Sequence, residues 1–461
     1  MTGPLLALVL LAATAAAPAA AQTPAQDTPM MQQASRPHAP DEARHARSAV
    51  PDTLHLGALQ QAAVQVDPRR RQLALQHTQS ELRLRDLRAE RLPSLALEGQ
   101  GQYQSDVIAI PIRLPNGQEF PALHHDTYDA HLSVQERLLD PVIGPRRAAE
   151  HAQLAEAQAR VRTALYGVRQ DVNDAFFTAA LMQARAAELA TIITDLDAQH
   201  RVIAARVREG AALPGEAAVI EAELMQRQQD QTELRANRAA ALDVLGDLTG
   251  RPIGDEDRLA LPDLDSAVAA LRRAQADTLR RRPEYQQFTS TRELLARQQD
   301  VTSAETRPRI SAFGRFGYGR PGLDLLSNRF DAYWLAGIQV QWSPWNWGTT
   351  GRERQALVVQ QRIVATEQQA FTHTMHRAVV QDLATIDRLH SALVADDRII
   401  ALREQVERET RARFDEGVVT AAEYVARRTD VLDARLARDT HRVQLAQASA
   451  RYLTTLGVEV R

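Results

Sequence analysis

The chain has 461 residues, no cysteine and a formal net charge of −3. A charge so close to zero gives no sign of a nucleic-acid partner. The absence of cysteine excludes disulfide bonds, thiolate metal sites and thiol nucleophiles. Length alone suggests two or three domains, but an internal duplication described below replaces that expectation.

Residues 1–21 have the pattern of a secretory signal peptide. An apolar, Ala- and Leu-rich run over residues 4–21 ends in Ala19-Ala20-Ala21, and small residues of this kind mark a cleavage site. A membrane-anchor helix is the alternative, but about 17 alanine-rich residues fall short of the roughly 20 that span a bilayer. We expect no other spanning helix, and without a cysteine after the run we expect no lipid anchor.

The next segments are predicted to be a leader and a helix. Residues 22–53 are rich in Pro, Ala, Gln, Thr and His, which is typical of a flexible leader. Residues 54–92 have helical periodicity with a break near Asp67-Pro68. Pro93 should end this helix because proline does not continue one.

Residues 307–347 differ from their surroundings because apolar and polar residues alternate there. The alternation covers two stretches of about ten residues with a loop between them, which predicts a β-hairpin at 308–342. Strands of about 9–11 residues with one apolar face also fit a transmembrane β-barrel. Trp and Tyr concentrate at membrane–water interfaces. The candidate interface aromatics are Tyr103, Tyr128, Tyr318, Trp334, Trp342, Trp345 and Trp347.

The same block occurs earlier in the chain. Subtracting 215 places Pro308 on Pro93, and subtracting 206 places the returning strand around Trp334 on that around Tyr128. We therefore predict a first hairpin at 93–137, with the longer loop of the two. Similarity over a whole supersecondary unit indicates an internal duplication. It defines repeat 1 at 54–250, a connecting segment at 251–264 and repeat 2 at 265–461.

Each repeat also contains one long helix and one return helix. The long helices are predicted at 146–209 and 352–416, and the return helices at 216–246 and 423–456. At 1.5 Å per residue the first long helix would reach about 95 Å. Such a helix needs lateral neighbours to cover its apolar stripe, so we expect coiled-coil packing.

The turns between the long and return helices match at an offset of 207. Each has a glycine just after the long helix, Gly210 or Gly417, as expected of a helix-terminating left-handed residue. Acidic residues seven apart follow on one helix face: Glu216 and Glu223 in repeat 1, Glu423 and Asp430 in repeat 2. Ordinary solvated helix charges explain these acids about as well as a functional site does.

In this ordered, duplicated plan the chain resembles the TolC-like outer-membrane efflux protein family. The resemblance rests on Ala-Glu-x-x-Pro segments at 89–93 and 304–308, Arg-x-x-Glu-Gly turns at 206–210 and 413–417, and the acids Glu216 and Glu423. It covers nearly all of the mature chain, although no single motif is specific. It implies a mainly α fold with a small transmembrane β part. Three chains would share a twelve-stranded β-barrel in the outer membrane, continued by a long α-helical barrel in the periplasm of a Gram-negative bacterium.

The resemblance also implies a function and partners. The chain would be the exit duct of a tripartite efflux or type I secretion system. A periplasmic adaptor protein would couple it to an inner-membrane transporter, with the turns at Gly210 and Gly417 forming the gate and docking surface. Two departures are the missing cysteine of the lipidated subgroup and Val419, where some members carry a basic residue.

The number of strands points to several chains as well. An open sheet edge cannot face lipid because its unpaired N–H and C=O groups have no water to bond. Two chains would give eight strands, whose interior is largely filled by side chains, whereas three give twelve strands and room for a conduit. We therefore expect a homotrimer in contact with outer-membrane lipid.

Nothing in the sequence predicts an enzyme. His373 and His376 lie three apart on a helix without a third ligand candidate, and the common hydrolase, phosphate-loop and zinc-protease motifs are absent. We expect no catalysis, cofactor or metal. The alternative to a transport conduit is a periplasmic structural or adaptor coiled-coil protein with a small soluble β domain, which would have to bury the apolar strand face.

Overall fold

The structure is a computed structural model that describes residues 53–107, 125–274, 281–323 and 329–460. The chain divides into two units, Met1–Val50 and Pro51–Arg461, and all described residues belong to the second. The predicted signal peptide, nearly all of the predicted leader and most of the first hairpin loop therefore lie outside the described residues.

The two repeats contain the same series of long elements. Repeat 1 consists of β1 (Thr53–His55), α1 (Leu56–Val66), α2 (Arg69–Ala89), β2 (Ser94–Tyr103), β3 (Asp126–Leu139), α3 (Ile143–Arg208) and α4 (Pro214–Thr249). The connecting segment holds β4 (Arg258–Ala260). Repeat 2 consists of α5 (Asp265–Ala274), α6 (Pro283–Ala304), β5 (Arg309–Arg320), β6 (Asp331–Gln341), α7 (Thr349–Asp415) and α8 (Ala421–Thr455).

Two helix starts in repeat 1 differ from the predicted ones for a local reason. α3 begins at Ile143 rather than 146, with Pro145 inside its first turn, and α4 begins at Pro214 rather than 216. Proline is well accommodated in the first helical turn because its missing N–H would have no intrahelical partner there. Gly144, Pro145, Pro214 and Gly215, which suggested longer turns, therefore belong to the helices.

The four long strands form one antiparallel sheet in the order β2-β3-β5-β6. β2 with β3, and β5 with β6, are the two hairpins, and β3 pairs with β5 to join the repeats. A register shift between Arg137 and Leu139 marks a bulge at the end of β3. Strands β2 and β6 are left as the two edges.

A second, two-stranded sheet lies at the main helical core. β1 and β4 are parallel, with Leu54 opposite Leu259, and the Gln183 side chain binds both backbone groups of Leu259 at 3.0 and 3.1 Å. Both leucines join the core around Phe176 and Phe177 of α3. The sequence did not predict this pair, because strands of three residues are too short to show alternation.

The helices pack side by side in two levels. α3 packs against both α2 and α6, and α7 packs against α6, so the helices nearest the sheet lie in the order α2-α3-α6-α7. Farther along, α3 contacts α4 and α8, and α7 contacts α8. A separate core cluster there includes Leu196, Ile220, Phe414 and Tyr424.

One described helix is long and apolar enough to pass a composition test for a membrane span. It is α3, with a mean hydropathy of 1.2 over 18 residues, one third of them buried. This corrects the expectation that no stretch beyond the N-terminal run would qualify. The same helix supplies the buried Phe176 and Phe177, as a packed core helix does.

Candidate channel wall and helical turns

The sheet has one polar and one apolar face. Residues that pair directly in an antiparallel sheet share a face, so the register can be read across all four strands. Gln100 pairs with Asp129, Asp129 with Gly319, and Gly319 with Asp331. The predicted polar set does share one face: Gln100, Gln102, Thr127, Asp129, His131, Ser133, Gln135 and Gln339.

A hydrogen-bonded network crosses the polar face. The Tyr333 hydroxyl of β6 donates to Asp129 Oδ1 of β3. The other Asp129 oxygen lies 2.6 Å from His131 Nδ1, and His131 Nε2 lies 3.3 Å from a Glu98 oxygen on β2. Tyr333 reaches over β5 at Gly317, where an added Cβ would lie 2.5 Å from the phenol ring.

The opposite face is apolar and exposed. Leu97 is 83 % exposed and Ile338 is 69 % exposed, although both lie within strands. Monomeric soluble proteins rarely expose a large contiguous apolar surface. The exposed large side chains on this face of the strands include Leu95, Leu97, Tyr103, Tyr128, Leu132, Phe316, Tyr318, Trp334, Ile338 and Val340.

Aromatic side chains flank this face at both ends. Tyr128 and Tyr318 stand near the loop end, where both rings contact Phe330 at 6.2 and 5.7 Å between centroids, and Tyr103 extends the group. Trp342, Trp345 and Trp347 follow β6 at the helix end, and all three are exposed. From the level of Tyr318, which pairs with Ala332, to Trp342 the strand covers about 33 Å. At the usual tilt of a barrel strand this is a band about 25 Å tall.

The two helical turns share one backbone geometry. Gly210 and Gly417 have φ of +74° and +76°, a conformation that only glycine adopts without strain. The N–H of Ala211 bonds to the Arg206 carbonyl at 2.7 Å, and the N–H of Val418 bonds to the Arg413 carbonyl at 2.8 Å. These six-to-one bonds define a Schellman motif, which explains the spacing of the Arg-x-x-Glu-Gly segments.

The four predicted acids have different surroundings. Glu216 and Glu423 occupy the third position of α4 and α8 and make no ion pair among the described residues. Thr420 Oγ1 accepts the N–H of Glu423 at 3.3 Å, so Thr420-x-x-Glu423 is in part a helix-capping arrangement. The Thr-x-x-Glu spacing is visible in the sequence and could have been recognised there.

Glu223 and Asp430 are paired. Glu223 accepts from Arg227 at 2.7 Å and from the Thr429 hydroxyl at 3.2 Å, which links α4 to α8. Asp430 pairs with Arg427 at 2.8 Å. The charges of Glu223 and Asp430 are therefore partly neutralised. Those of Glu216 and Glu423, nearer the turns, are not neutralised by any described residue.

Sequence reasoning missed a series of ion pairs between α7 and α8. The pairs are Asp382–Arg451, Asp397–Arg438 and Glu404–Arg435 at 2.6–2.7 Å, and Glu407–Arg428 at 3.3 Å. His441 Nδ1 of α8 also lies 2.6 Å from an Asp396 oxygen of α7. Between described residues of α3 and α4 there is a single pair, His200–Glu221 at 4.0 Å. At the offset of 207, His200 and Glu221 are the counterparts of Glu407 and Arg428, so the acidic residue lies on the other helix. Such pairs become visible only when it is known which helix faces meet.

Arg428 also links the helical hairpin formed by α7 and α8 to the first repeat. Its guanidinium pairs with Asp195 of α3 as well as with Glu407 of α7. Close by, Tyr424 stacks on Phe414 at 5.1 Å between ring centroids, and burial raises the pKa of Tyr424. The α3–α4 and α7–α8 helical hairpins are therefore joined near the turns by the Arg428–Asp195 ion pair and by the core cluster that contains Leu196, Ile220, Phe414 and Tyr424.

Comparison with known structures identifies this arrangement. No protein-family model and no curated protein matches the sequence. Solved structures do match over nearly the whole chain. CusC, described as forming a transmembrane channel, has a TM-score of 0.66 at 15% identity and is matched over 87% of this chain and 92% of its own. The chain has the TolC-like outer-membrane efflux protein fold.

Two further channels with this TolC-like fold agree. The outer membrane protein VceC of Vibrio cholerae has a TM-score of 0.64 at 14% identity, covering 88% of this chain and 97% of its own. The open-state MtrE outer membrane channel of Neisseria gonorrhoeae has a TM-score of 0.63 at 17% identity, covering 88% and 89%. The resemblance inferred from the duplicated motifs is thus confirmed.

Within residues 53–107, 125–274, 281–323 and 329–460, no three or more His, Cys, Asp or Glu side chains form a group that could hold a metal ion. His373 and His376 are exposed on α7. Of the solved structures that share the fold, CusC is described as forming a transmembrane channel and MtrE as an outer membrane channel.

Proposed function

We propose that this protein is the outer-membrane exit duct of a tripartite efflux or type I secretion system. The observation that carries the proposal is the exposed apolar sheet face, bounded by aromatic side chains at both ends and backed by a polar face. A lipid-facing band about 25 Å tall with aromatic girdles is the surface of a transmembrane barrel. The TolC-like fold supports this reading.

The duct would be a homotrimer with a twelve-stranded barrel. Strands β2 and β6 are open edges that run in opposite directions, so β6 of one copy can pair with β2 of the next and continue the antiparallel order. Closure is required because an unpaired edge is too costly in lipid. Twelve strands leave a conduit, whereas eight are largely filled.

The polar face would line the water-filled lumen, and the helices would continue the conduit into the periplasm. The turns at Gly210 and Gly417 would lie at the periplasmic tip, where a periplasmic adaptor protein connects the duct to an inner-membrane transporter. Glu216 and Glu423, which make no ion pair with any residue that the structure describes, would ring the tip opening. The chain would be exported without lipidation and reside in a Gram-negative outer membrane.

The alternative, a periplasmic coiled-coil protein with a soluble β domain, is less favoured. A soluble domain would cover its apolar strand face with a core, yet Leu97, Ile338 and Trp334 are exposed. The two hypotheses predict different solubility and different assembly states.

Membrane fractionation and mass measurement test the proposal. The full chain should be recovered in the outer membrane as an oligomer resistant to SDS, and its mass in detergent should be that of three chains. Deleting the gene should sensitise cells to exported compounds, and restoring it should reverse this. A soluble monomer or dimer in the periplasmic fraction would overturn the proposal.

A further inference from the structure

The duplication supplies a template for the contact between copies. Within one chain, β3 of repeat 1 pairs with β5 of repeat 2. The counterpart of β3 is the edge strand β6, and the counterpart of β5 is the edge strand β2. One pairing of the internal pattern is therefore missing from the single chain, the pairing of β6 with β2.

From this we infer the residue register between neighbouring copies: β6 of one copy pairs with β2 of the next with Ile338 opposite Gly101 and Val340 opposite Gly99. This inference rests on the proposed assembly of several copies but goes beyond it, because the same assembly could form in other registers.

The register follows from the two offsets. Leu132 pairs with Phe316, and Ser133 pairs with Arg315. Adding 206 to the β3 residue and subtracting 215 from the β5 residue converts these pairs into Ile338–Gly101 and Gln339–Gln100.

The faces agree under this register. Ile338 and Val340 belong to the apolar face, as do the β2 positions 99 and 101, while Gln339 and Gln100 belong to the polar face. A shift by one residue would put each apolar side chain of β6 beside a polar side chain of β2. Shifts by two residues keep apolar residues beside apolar ones. Only the internal β3–β5 pairing distinguishes the inferred register from such shifts.

One of the two long helices, α7, also lacks a neighbour that its counterpart α3 has. α3 packs against α2 and α6, whereas α7, on this level, packs against α6. At the offset of 207, Ala152 and Glu156 of α3 correspond to Val359 and Ile363 of α7. The α3 residues are each 7 % exposed, but Val359 is 52 % and Ile363 is 43 % exposed.

Helix α2 is uncovered in a matching way. Leu75 is 67 % exposed, and its counterpart in α6, Ser290, is 6 % exposed. Because α3 covers α6 within the chain, the template places α7 of a second copy on α2. The exposed apolar side chains of α2 and α7 are thus the two halves of one contact, and the occupant is a second copy of this chain.

Paired cysteines test the register directly, since the chain has no cysteine of its own. One variant carries Gly101→Cys with Ile338→Cys, and a second carries Gly99→Cys with Val340→Cys. A Cβ at Gly99 or Gly101 meets no atom closer than 3.5 Å, so both positions accept the change. A third variant, Gln100→Cys with Gln339→Cys, probes the lumen face. Opposed pairs alternate along an antiparallel ladder between hydrogen-bonded and non-hydrogen-bonded types, so this pair is of the other type than the first two.

The matched controls exchange partners among the same four positions. Gly101→Cys with Val340→Cys, and Gly99→Cys with Ile338→Cys, place the thiols two residues out of register. Diagonal neighbours are about 7–8 Å apart, beyond the Cα separation that a disulfide bridges without backbone movement. All variants are first checked for the SDS-resistant oligomer and then oxidised.

The expected result is a covalently closed oligomer for the in-register pairs and no interchain bond for the exchanged pairs. Cross-linking of an exchanged pair in place of the in-register ones would show a shifted register and overturn the inference. An SDS-resistant trimer in which none of the three in-register pairs cross-links would overturn the inference and leave the proposed duct intact. A monomer by mass in detergent would overturn both.

Discussion

Tyr333 on β6 and Asp129 on β3 are joined by a hydrogen bond although strand β5 lies between them. The bond is possible because position 317 of β5 is glycine, since the phenol ring occupies the space that a Cβ would need there. An aromatic ring that covers a cross-strand glycine also shields the glycine backbone from water and fixes the register. The polar face of the sheet therefore contains a packed contact, Tyr333 over Gly317 with its hydrogen bond to Asp129, as well as solvated side chains.

Gly317→Ala should displace the Tyr333 ring and destabilise the folded sheet. Overpacking of this kind costs about 1–3 kcal/mol, because the new Cβ would otherwise lie 2.5 Å from the ring. The control is the same change in a Tyr333→Ala background, where the clash is gone and the cost should largely vanish. Urea unfolding in micelles measures this double-mutant cycle, and equal costs in both backgrounds would contradict the account.

Arginine at Leu132 should prevent stable assembly, while arginine at the adjacent Ser133 should be tolerated. Leu132 lies on the apolar face and Ser133 on the polar face. A lipid-facing Arg near the midplane costs about 2–4 kcal/mol, whereas a lumen-facing Arg stays in water. Ile338→Arg should behave like Leu132→Arg. Recovery of SDS-resistant oligomer measures the effect, and equal losses at 132 and 133 would mean that the two faces are assigned the wrong way round.

Gly417→Val should leave the oligomer assembled but abolish export. The space around a Cβ at Gly417 is empty, so the defect would come from the left-handed backbone, which costs an ordinary residue about 1–2 kcal/mol. Gly417→Asn is the matched control, because asparagine tolerates this conformation better than any β-branched residue. Export assays on both variants measure the effect. Full export by Gly417→Val would show that the turn can change shape without loss of export.

Replacing Glu216 and Glu423 together by Gln should reduce the cation selectivity of the conduit. In a trimer these carboxylates would repeat six times around one opening, and a ring of acids attracts cations. Glutamine at 423 still fits the capping arrangement with Thr420, and Leu213 caps nothing at 216, so helix stability and assembly should be retained. Reversal potentials in planar bilayers measure the selectivity. An unchanged value would mean that both residues are ordinary solvated helix charges.

Asp382→Asn should remove a pH dependence of stability. Burial raises the pKa of Asp382, outweighing the opposing effect of Arg451, and the side chain is 3 % exposed. A raised native pKa contributes stability that is present below the unfolded pKa of about 3.9 and is lost as pH rises through the native pKa. The unfolding free energy of the wild type should therefore fall across this window, and that of Asp382→Asn should not.

Thermal unfolding at several pH values between about 4 and 7 tests this linkage. Arg451 is half exposed and remains solvated when its partner is neutralised, so the variant should be at least as stable as the wild type near neutral pH. A clear loss of stability there would show that the ion pair outweighs the burial of Asp382.

The sequence predicted features that repeat along the chain. Alternation fixed the two faces of the sheet, since Asp129 and Ser133 fall on the polar side in the structure as they do in the pattern. The duplication also placed Gly210 and Gly417 at equivalent turns, and both have the left-handed backbone that the glycine suggested. These features depend on local spacing, which a single sequence records.

The features it did not predict depend on which surfaces meet. The β1–β4 pair is too short for a pattern, and it is held by Gln183, which is distant in sequence. The Glu404–Arg435 and Asp397–Arg438 pairs join two helices of ordinary charge composition. Only the packing of α7 on α8 selects these pairs from among the many charges that both helices carry.

The pairing of β3 with β5 has a consequence for biogenesis. All of α3, α4, the connecting segment, α5 and α6 lie between these two strands in the chain. If the chain is exported as proposed, one edge of β3 would stay unpaired until the second repeat has been delivered. Exposed strand edges are aggregation-prone, and pairing across such a distance is slow. The first β-hairpin would thus be the segment that a periplasmic chaperone binds most. A chain truncated before β5 should be the species most readily captured and degraded.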